Sequence, residues 1–554
     1  MRTFVFWCAF ISLCISAEAD VKFTDVTDES GIGFQHFTGA TGKRYMPETM
    51  GSGCAFLDYD ADGNLDILFA NGTNFKHADP TQTPRLYRNI GNGKFVDATE
   101  TAKLDVPMYG MGVTVADYDN DADPDIYFTN VGENRLFRNN GDNTFTDVTE
   151  FAEVGDTSWS TSAAFFDADN DGWLDLFVCN YVEWTPETDI PCVVNIAGEI
   201  PPPRTYCTPN VYTGQSCRFY RNRGDGTFTD RTSQAGLYNP IGKSLGVTLL
   251  DYNRDGWLDL AVANDTEPNF LYRNNGDGTF TDEALVMGIA FSETGKARGS
   301  MGIDAADVYN TDGTAIAIGN FSNEKTAFFY AGPEDVYFTD AADNVQIGNA
   351  SLRLLTFGLL FFDCDLDGVL DLFCVNGHIE PEVLRYQQQI PYAQLPSLFR
   401  NRIDGTFQDI AKHSGLTRTG VGRGCAYGDY DNDGDLDLLV SNNGVAQDYG
   451  KPWLLRNDST PASNYLRVRT VGTRSNRDGI GAKVQVKSAD SFQQQIVRTG
   501  SSYCSQSEMV LTFGLRKNET VALLEIQWPS GEVDRYVKLK ANQLIEVTEG
   551  ASEK

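Results

Sequence analysis

A nine-residue unit recurs along this chain, and its densest copy, Asp429-Tyr430-Asp431-Asn432-Asp433-Gly434-Asp435-Leu436-Asp437, packs five carboxylates into nine positions. Like charges at that density repel one another unless a cation sits among them. Calcium takes roughly six to eight oxygens, and a glycine sixth in the loop lets the acids turn onto one ion. The copies begin at Asp58 (DYDADGNLD), Asp117 (DYDNDADPD), Asp167 (DADNDGWLD), Asp251 (DYNRDGWLD), Asp363 (DCDLDGVLD) and Asp429. Positions 1, 3 and 5 are expected to converge as side-chain ligands: Asp58, Asp60 and Asp62; Asp117, Asp119 and Asp121; Asp167, Asp169 and Asp171; Asp251, Asn253 and Asp255; Asp363, Asp365 and Asp367; Asp429, Asp431 and Asp433. Position 7 supplies a backbone carbonyl, from Asn64, Asp123, Trp173, Trp257, Val369 and Asp435. Position 9 closes each set with a bidentate carboxylate, from Asp66, Asp125, Asp175, Asp259, Asp371 and Asp437. The flanks, Cys425-Ala426-Tyr427 and Leu438-Leu439-Val440-Ser441, are short apolar runs of strand type, so the unit is a strand–loop–strand calcium site and not an EF-hand.

A seventh copy has decayed. Met301-Gly302-Ile303 to Asp307 matches Met111-Gly112-Val113 to Asp117, but positions 3, 5 and 9 are Tyr309, Thr311 and Ala315. The starts lie 59, 50, 84, 56, 56 and 66 residues apart, the spacing of a blade-sized repeat. A chain of 554 residues is too long for one ordinary core, and the repeats favour a single array with an added module over several unrelated domains. The net charge of −33 resembles that of an acidic tail until it is mapped: 25 Asp lie in the six intact loops, and residues 458–554 carry 13 Lys/Arg against 11 Asp/Glu. The acid is ligand, and the absence of a basic stripe argues against nucleic acid as a partner.

Each intact repeat continues from its second strand to an aromatic-Arg-Asn segment, a Gly-rich turn and Phe-x-Asp, as in Leu136-Phe137-Arg138-Asn139 and Phe145-Thr146-Asp147. An Asp-Gly or Asn-Gly tip between two strands is a hairpin signal, so each repeat supplies four antiparallel strands, a propeller blade. The seventh repeat has Leu454-Leu455-Arg456-Asn457 but no Phe-x-Asp after it. Lys22-Phe23-Thr24-Asp25-Val26-Thr27 matches Thr144-Phe145-Thr146-Asp147-Val148-Thr149 and has no strands before it. The N-terminal segment is therefore expected to complete the last blade and close the ring. Residues 1–19 read as a secretory signal: Arg2, an apolar run from Phe4 to Ile15, then Ala17-Glu18-Ala19. The run falls short of the ~20 residues that span a bilayer. Export, extracellular or periplasmic, follows, with no integral membrane segment after cleavage. Of eleven Cys, Cys8 and Cys14 leave with the signal; Cys192, Cys207 and Cys217 lie in one Pro-rich insertion that a disulfide would staple. Cys54 and Cys425 become neighbours if the ring closes, and are read as buried strand residues.

These repeats, with Gly33-Phe34-Gln35-His36, Pro47-Glu48-Thr49-Met50-Gly51-Ser52-Gly53, Asn476-Arg477-Asp478-Gly479-Ile480-Gly481-Ala482 and Gln527-Trp528-Pro529-Ser530-Gly531, resemble the cartilage acidic protein family, in which FG-GAP/VCBS repeats precede a C-terminal ASPIC/UnbV region. The resemblance implies an extracellular calcium-binding seven-bladed β-propeller, like that of integrin α chains, used for adhesion or recognition. The chain departs from the family in its lost fifth site and its blade-three insertion. The fold class is all-β: a propeller over 20–457 and a small β-sandwich-like domain over 458–554, where Leu466-Arg467-Val468-Arg469 and Lys483-Val484-Gln485-Val486-Lys487 alternate as half-buried strands.

Two regions are candidates for ligand binding. The calcium loops join first to second strands on one face, so insertions between second and third strands emerge on the other. Blade three adds Tyr181, Trp184, Pro201-Pro202-Pro203-Arg204, Tyr206 and Tyr212 there; blade six adds 379–396 with Tyr386 and Tyr392. Such loops can equally pack on one another. Lys43, Arg44, Lys243, Arg298, Arg353 and Arg423 precede or open the innermost strands, where a ring of cations at the axis mouth would take an anion such as a uronate. Gly51-Ser52-Gly53, Gly110-Met111-Gly112 and Gly422-Arg423-Gly424 are small enough to pack around a tight axis. Catalytic motifs are lacking: there are four His, no G-x-S-x-G and no H-E-x-x-H, and His36 with Glu48 is the sole acid–base pairing suggested. The favoured reading is a secreted recognition protein for a glycan or protein partner, not an enzyme. The alternative is a lyase-like propeller acting on acidic polysaccharide.

Overall fold

The computed structural model describes residues 20–402, 404–446, 449–460, 463–489 and 491–552. The expected leader, with Cys8 and Cys14, lies outside the described residues. Strands from Phe23 to Asn457 form seven four-stranded antiparallel sheets. Blade two shows the plan, with a long innermost strand and a short outermost one: Gly110–Ala116, Asp125–Asn130, Arg135–Asn139 and Phe145–Asp147. The two inner strands are buried at every residue, because each blade is sandwiched between neighbours and both faces of its sheet are covered. The innermost strands abut in a cycle, with Gly422–Gly428 of the last blade meeting Cys54–Leu57 of the first. The structure is thus a seven-bladed propeller. Closure is as the sequence led us to expect: Phe23–Asp25 pairs with Trp453–Asn457, Phe23 opposite Asn457 and Asp25 opposite Leu455.

The second module has two sheets. Asn464–Val471 pairs in parallel with Gln543–Thr548 and antiparallel with Leu511–Arg516. Lys483–Lys487 lies between Phe492–Ile496 and Thr520–Gln527, with Val533–Lys540 at the edge. Between them Val484, Val486, Phe513, Leu524, Ile526 and Trp528 are buried, in a core continuous with that of blades three and four.

Residues 498–508, which join the two sheets, leave the module and enter the axis of the ring. Gln506 N donates to Cys54 O at 3.0 Å, Val113 N donates to Cys504 O at 3.1 Å, and Cys504 N donates to Ser162 Oγ at 2.9 Å. Ser502 and Ile303 exchange both backbone bonds, and Glu508 N donates to Tyr427 O at 3.1 Å. The Tyr503 ring packs edge-on against Phe357, 5.0 Å between centroids, and its hydroxyl donates to Met50 O. With Arg498 Nη1 donating to Thr248 Oγ1 of blade four at 2.6 Å, all seven blades touch this segment. The small residues of the innermost strands, read from sequence as packing around a tight axis, have a second reason: a Cβ on Gly53 would stand 1.6 Å from Cys504 O, and one on Gly424 would stand 2.2 Å from Ser505 Oγ.

Cys192 and Cys207 form a disulfide within the blade-three insertion. Cys217 stays free, its thiol donating to Ser244 Oγ. Cys54 and Cys425 sit on adjacent innermost strands as buried free thiols, facing Ser505 and Ser502 of the axial segment.

The axial contact gives a direct test. Gly53→Ala is expected to cost about 1–3 kcal/mol or more in urea denaturation, because the backbone it would meet cannot move aside. Gly33→Ala, whose Cβ meets nothing nearer than 4.0 Å, is expected to stay within about 0.5 kcal/mol. Equal costs at the two positions would contradict the packing described.

Candidate metal centres

The six acidic loops share one geometry, set by their own side chains. The position-1 carboxylate accepts the amides of positions 5 and 6 in every copy, as Asp58 does from Asp62 and Gly63, at 2.7–3.1 Å. Positions 4 and 6 lie in the left-handed region, which suits glycine at position 6. Ala122 takes that conformation in blade two at φ 79°, a strained choice for a residue with a Cβ. The position-9 carboxylate accepts the amide of position 2 and, with its other oxygen, the amide of the Asn in the following aromatic-Arg-Asn strand, as Asp125 does from Tyr118 and Asn139. Position 3 is different. Asp60, Asp119, Asp169 and Asp431 each have a buried oxygen with no hydrogen-bond partner, and so does Asp435 at position 7.

Three carboxylate oxygens lie within 4.8 Å of one another in Asp58/Asp60/Asp62, Asp117/Asp119/Asp125, Asp167/Asp169/Asp171 and Asp363/Asp365/Asp367. Burial, reinforced by neighbouring acids, pushes Asp66, Asp117 and Asp435 up to about 8 and Asp167 and Asp429 up to about 7. Converging hard oxygens, unpartnered lone pairs and acids held towards protonation by burial are what a loop for a hard divalent cation offers in its metal-free geometry. The Arg of the aromatic-Arg-Asn segment brings a positive charge to the loop from outside, Arg88 against Asp60 at 2.6 Å and Arg400 against Asp365.

The Asn of that segment ties the blades together. Its side-chain amide donates to the position-8 carbonyl of its own loop and to the position-2 carbonyl of the preceding blade's loop. Asn139 reaches Pro124 O and Tyr59 O, and the pattern repeats at Asn89, Asn222, Asn274, Asn401 and Asn457 at 2.8–3.4 Å. Asn89 closes the circle by reaching Tyr430 O of the last blade. The decayed blade has Ala331 in this place. There Arg254 bridges instead, from the blade-four loop to Pro333 O at 2.7 Å. The decayed loop keeps its shape, with Asp307 accepting Thr311 N and Asp312 N and with Asn310 and Asp312 left-handed. Its acids are met by the second module: Gln494 donates to Asp307 and Asp312, and Lys483 Nζ lies 3.5 Å from Asp312.

The module lies across this whole face. Arg467 is buried between Asp429, at 2.7 Å, and Glu508, at 2.5 Å. Asp478 accepts Asp117 N at 2.8 Å, and Arg477 N donates to Asn120 Oδ1 at 2.8 Å, which assigns the Asn476-Arg477-Asp478-Gly479 motif the task of seating the module on loop two. Arg516 Nε donates to Asp367 O at 2.6 Å, on loop six.

Family comparisons match the two regions separately. The FG-GAP-like repeat model matches residues 58–128, 121–178, 210–262, 251–315 and 363–440, more than half the chain, and the ASPIC and UnbV model matches 472–554. The chain is an FG-GAP-like repeat protein. It is 28% identical to cartilage acidic protein 1 of Homo sapiens over 332 residues, 59% of this chain and 47% of that protein. The Mus musculus counterpart matches at 28% over 295 residues, 52% of this chain and 42% of its own length. The repeat protein thus spans about half the length of the curated relatives it matches. A solved lectin structure from Agrocybe aegerita, described as recognising non-reducing terminal N-acetylglucosamine, aligns at 16% identity over 65% of this chain and 79% of its own, with a TM-score of 0.35 that carries no argument.

On the opposite face of the repeat protein, the blade-three and blade-six loops pack on one another and on residues 43–50. Glu380 accepts from Arg44 at 2.8 Å and from Thr205 at 2.9 Å, Arg44 lies over the Tyr206 ring, and Arg385 pairs with Glu199. Trp184 is buried against Trp159 and Tyr45, its indole N–H donating to Asp189; Tyr206 is buried and donates to Glu48. The expected ring of axial cations is not formed. Lys243 pairs with Glu267, Arg298 with Glu293 and Asp340, Lys43 donates to Tyr45 Oη, and Arg423 is buried on backbone carbonyls. The physical reason is that Arg44, Lys243, Arg298 and Arg423 find nearer acceptors on the blades and loops around them, while the axial segment fills the centre. Arg353 alone of the six makes no ion pair or hydrogen bond among the described residues; it lies exposed in a groove with Tyr386, Asn323 and Gln387–Gln389. His36 and Glu48 do not bond each other: His36 Nδ1 accepts Gly444 N, and burial with Arg423 nearby holds the imidazole neutral, down at about 3.

The inter-blade tie can be measured. Asn139→Ala strands the buried Tyr59 carbonyl and the part-buried Pro124 carbonyl and is expected to cost about 1–3 kcal/mol in urea denaturation. Asn140→Ala, at the exposed next position, is expected to stay within about 0.5 kcal/mol.

Proposed function

We propose that this chain is an extracellular calcium-binding recognition protein, in which about six bound Ca²⁺ consolidate the ring and the face turned away from the second module takes up a glycan or protein partner. The observation that carries the metal assignment is the unpartnered position-3 oxygen, repeated in four loops that have already satisfied positions 1 and 9 from within. The partner surface is argued from exclusion. One face lies under the module and the axis is filled, which leaves the cap of blade-three and blade-six loops and its groove of Arg353, Tyr386 and neighbouring amides. A cation, an aromatic ring and amides side by side suit an acidic sugar. The lyase-like alternative needs an open axial mouth lined with free cations. Residues 498–508 fill that place, and the cations are paired elsewhere.

Isothermal titration of calcium into metal-free protein is expected to give about six sites, falling by one in Asp431→Ala and unchanged in Ala315→Ser; a stoichiometry near zero would remove the proposal. Because the buried acids of the metal-free protein titrate near pH 7–8, above the unfolded value of about 4, the folded state holds extra protons across pH 4–8. The metal-free protein is therefore expected to lose stability as pH rises through that window. Calcium, which displaces those protons, is expected to bind more tightly at pH 8 than at pH 6, with proton release visible as buffer-dependent heat.

For the partner, the protein in calcium is incubated with acidic and neutral polysaccharides while retention and polymer length are followed. Retention on acidic polymers at constant length, weakened in Arg353→Ala, is expected. Shortened polymer would instead indicate an enzyme.

A further inference from the structure

Beneath the cap lies a charge without a counter-charge. Arg423 is 0% exposed. Its Nε donates to Thr49 O at 2.6 Å, Nη1 donates to Gly422 O at 2.7 Å and Gly377 O at 3.1 Å, and its guanidinium lies 4.0 Å over the centre of the Phe357 ring. Nη2 has no partner. Burial lowers the guanidinium only to about 10, so the charge persists at neutral pH.

A second orphan donor lies beside it. His378 is 2% exposed, and its Nδ1 accepts Glu380 N at 3.0 Å, which puts the ring proton on Nε2. Nε2 has no acceptor. The Gly377 carbonyl that receives Arg423 Nη1 immediately precedes His378, and burial together with the nearby Arg423 charge holds the imidazole below its ordinary value. Ser52, whose carbonyl accepts Gly424 N, brings a third buried and unpartnered polar group to the same neighbourhood. Of the nearby acids, Glu380 is engaged by Arg44 and Thr205 and Glu48 Oε2 by Tyr206, which leaves Glu48 Oε1 unpartnered.

We propose that a small monovalent anion of halide size binds under the cap, accepting hydrogen bonds from Arg423 Nη2 and His378 Nε2. Two buried donors with no protein acceptor call for an acceptor, and a guanidinium removed from solvent calls for negative charge, which water does not supply. Water is nonetheless the competing occupant, since Glu48 Oε1 is also unpartnered and could receive its protons.

Thermal melts of the whole chain in calcium, at fixed ionic strength with gluconate replaced stepwise by chloride or bromide, are expected to rise saturably with halide. His378→Phe removes one donor and is expected to shift the halide midpoint roughly tenfold upward; Arg423→Met is expected to abolish the response. Should either variant fail to fold, a bromide-soaked crystal of the unaltered chain decides. An anomalous peak within hydrogen-bonding distance of both nitrogens supports the site; a water there, or bromide at other positions only, overturns it.

Discussion

Carboxylates removed from water beside other carboxylates are the constraint on which this structure depends. Asp437 and Asp125 are 0% exposed, each flanked by further acids of its own loop. Backbone amides satisfy positions 1 and 9 but leave a buried oxygen of position 3 without a hydrogen-bond partner in four loops. The same carboxylates are wired to the rest of the fold. Position 9 holds the amide of the Asn whose side chain reaches the preceding blade, so each loop is hydrogen-bonded to its neighbour as well as to its own turn.

The second module is joined to that arrangement at two levels. Its outer surface sits on the loops through Arg467, Asp478 and Arg516, and its segment 498–508 occupies the axis. A propeller of seven blades encloses space that side chains of small innermost residues do not fill. Here a strand-like segment from the same chain fills it, pairing with blade edges that point at the axis. The module is thus a structural part of the ring, and the decayed fifth loop shows the economy of the arrangement: where the ligands are lost, Gln494 and Lys483 of the module take over contact with the remaining acids.

The paths by which the sequence succeeded and failed are physical. Blade count, strand order and closure by Phe23–Asp25 follow from local repetition, since each blade restates the same turn chemistry and the missing Phe-x-Asp strand had one place to come from. The clustering of the acids was legible because side chains at alternate positions of a nine-residue loop with a sharp turn at position 6 point to one side. The axial cations were misjudged because position along the chain says where a residue starts but not which carboxylate it meets: Arg298 finds Asp340 of the same blade, and Arg423 turns into the interior. Trp184 and Tyr206 looked like binding residues by type, yet the cap buries them, since the long insertions of blades three and six rise from the same face and fold over one another.

What the sequence by itself determined is the part written in short-range periodicity: all-β blades, six acid-crowded loops of one shape, a seventh that has lost the acids at positions 3, 5 and 9, and a ring closed by its own N-terminal strand. What only the tertiary structure decided is where the C-terminal module goes. No residue in 498–508 has a signature of axial insertion, because Cys504 and Ser505 acquire their meaning from Gly53, Gly112 and Gly424, which lie on other elements far along the chain and each lack the Cβ that would exclude them. Contacts between distant segments depend on complementary shape, and shape exists only once both partners are folded.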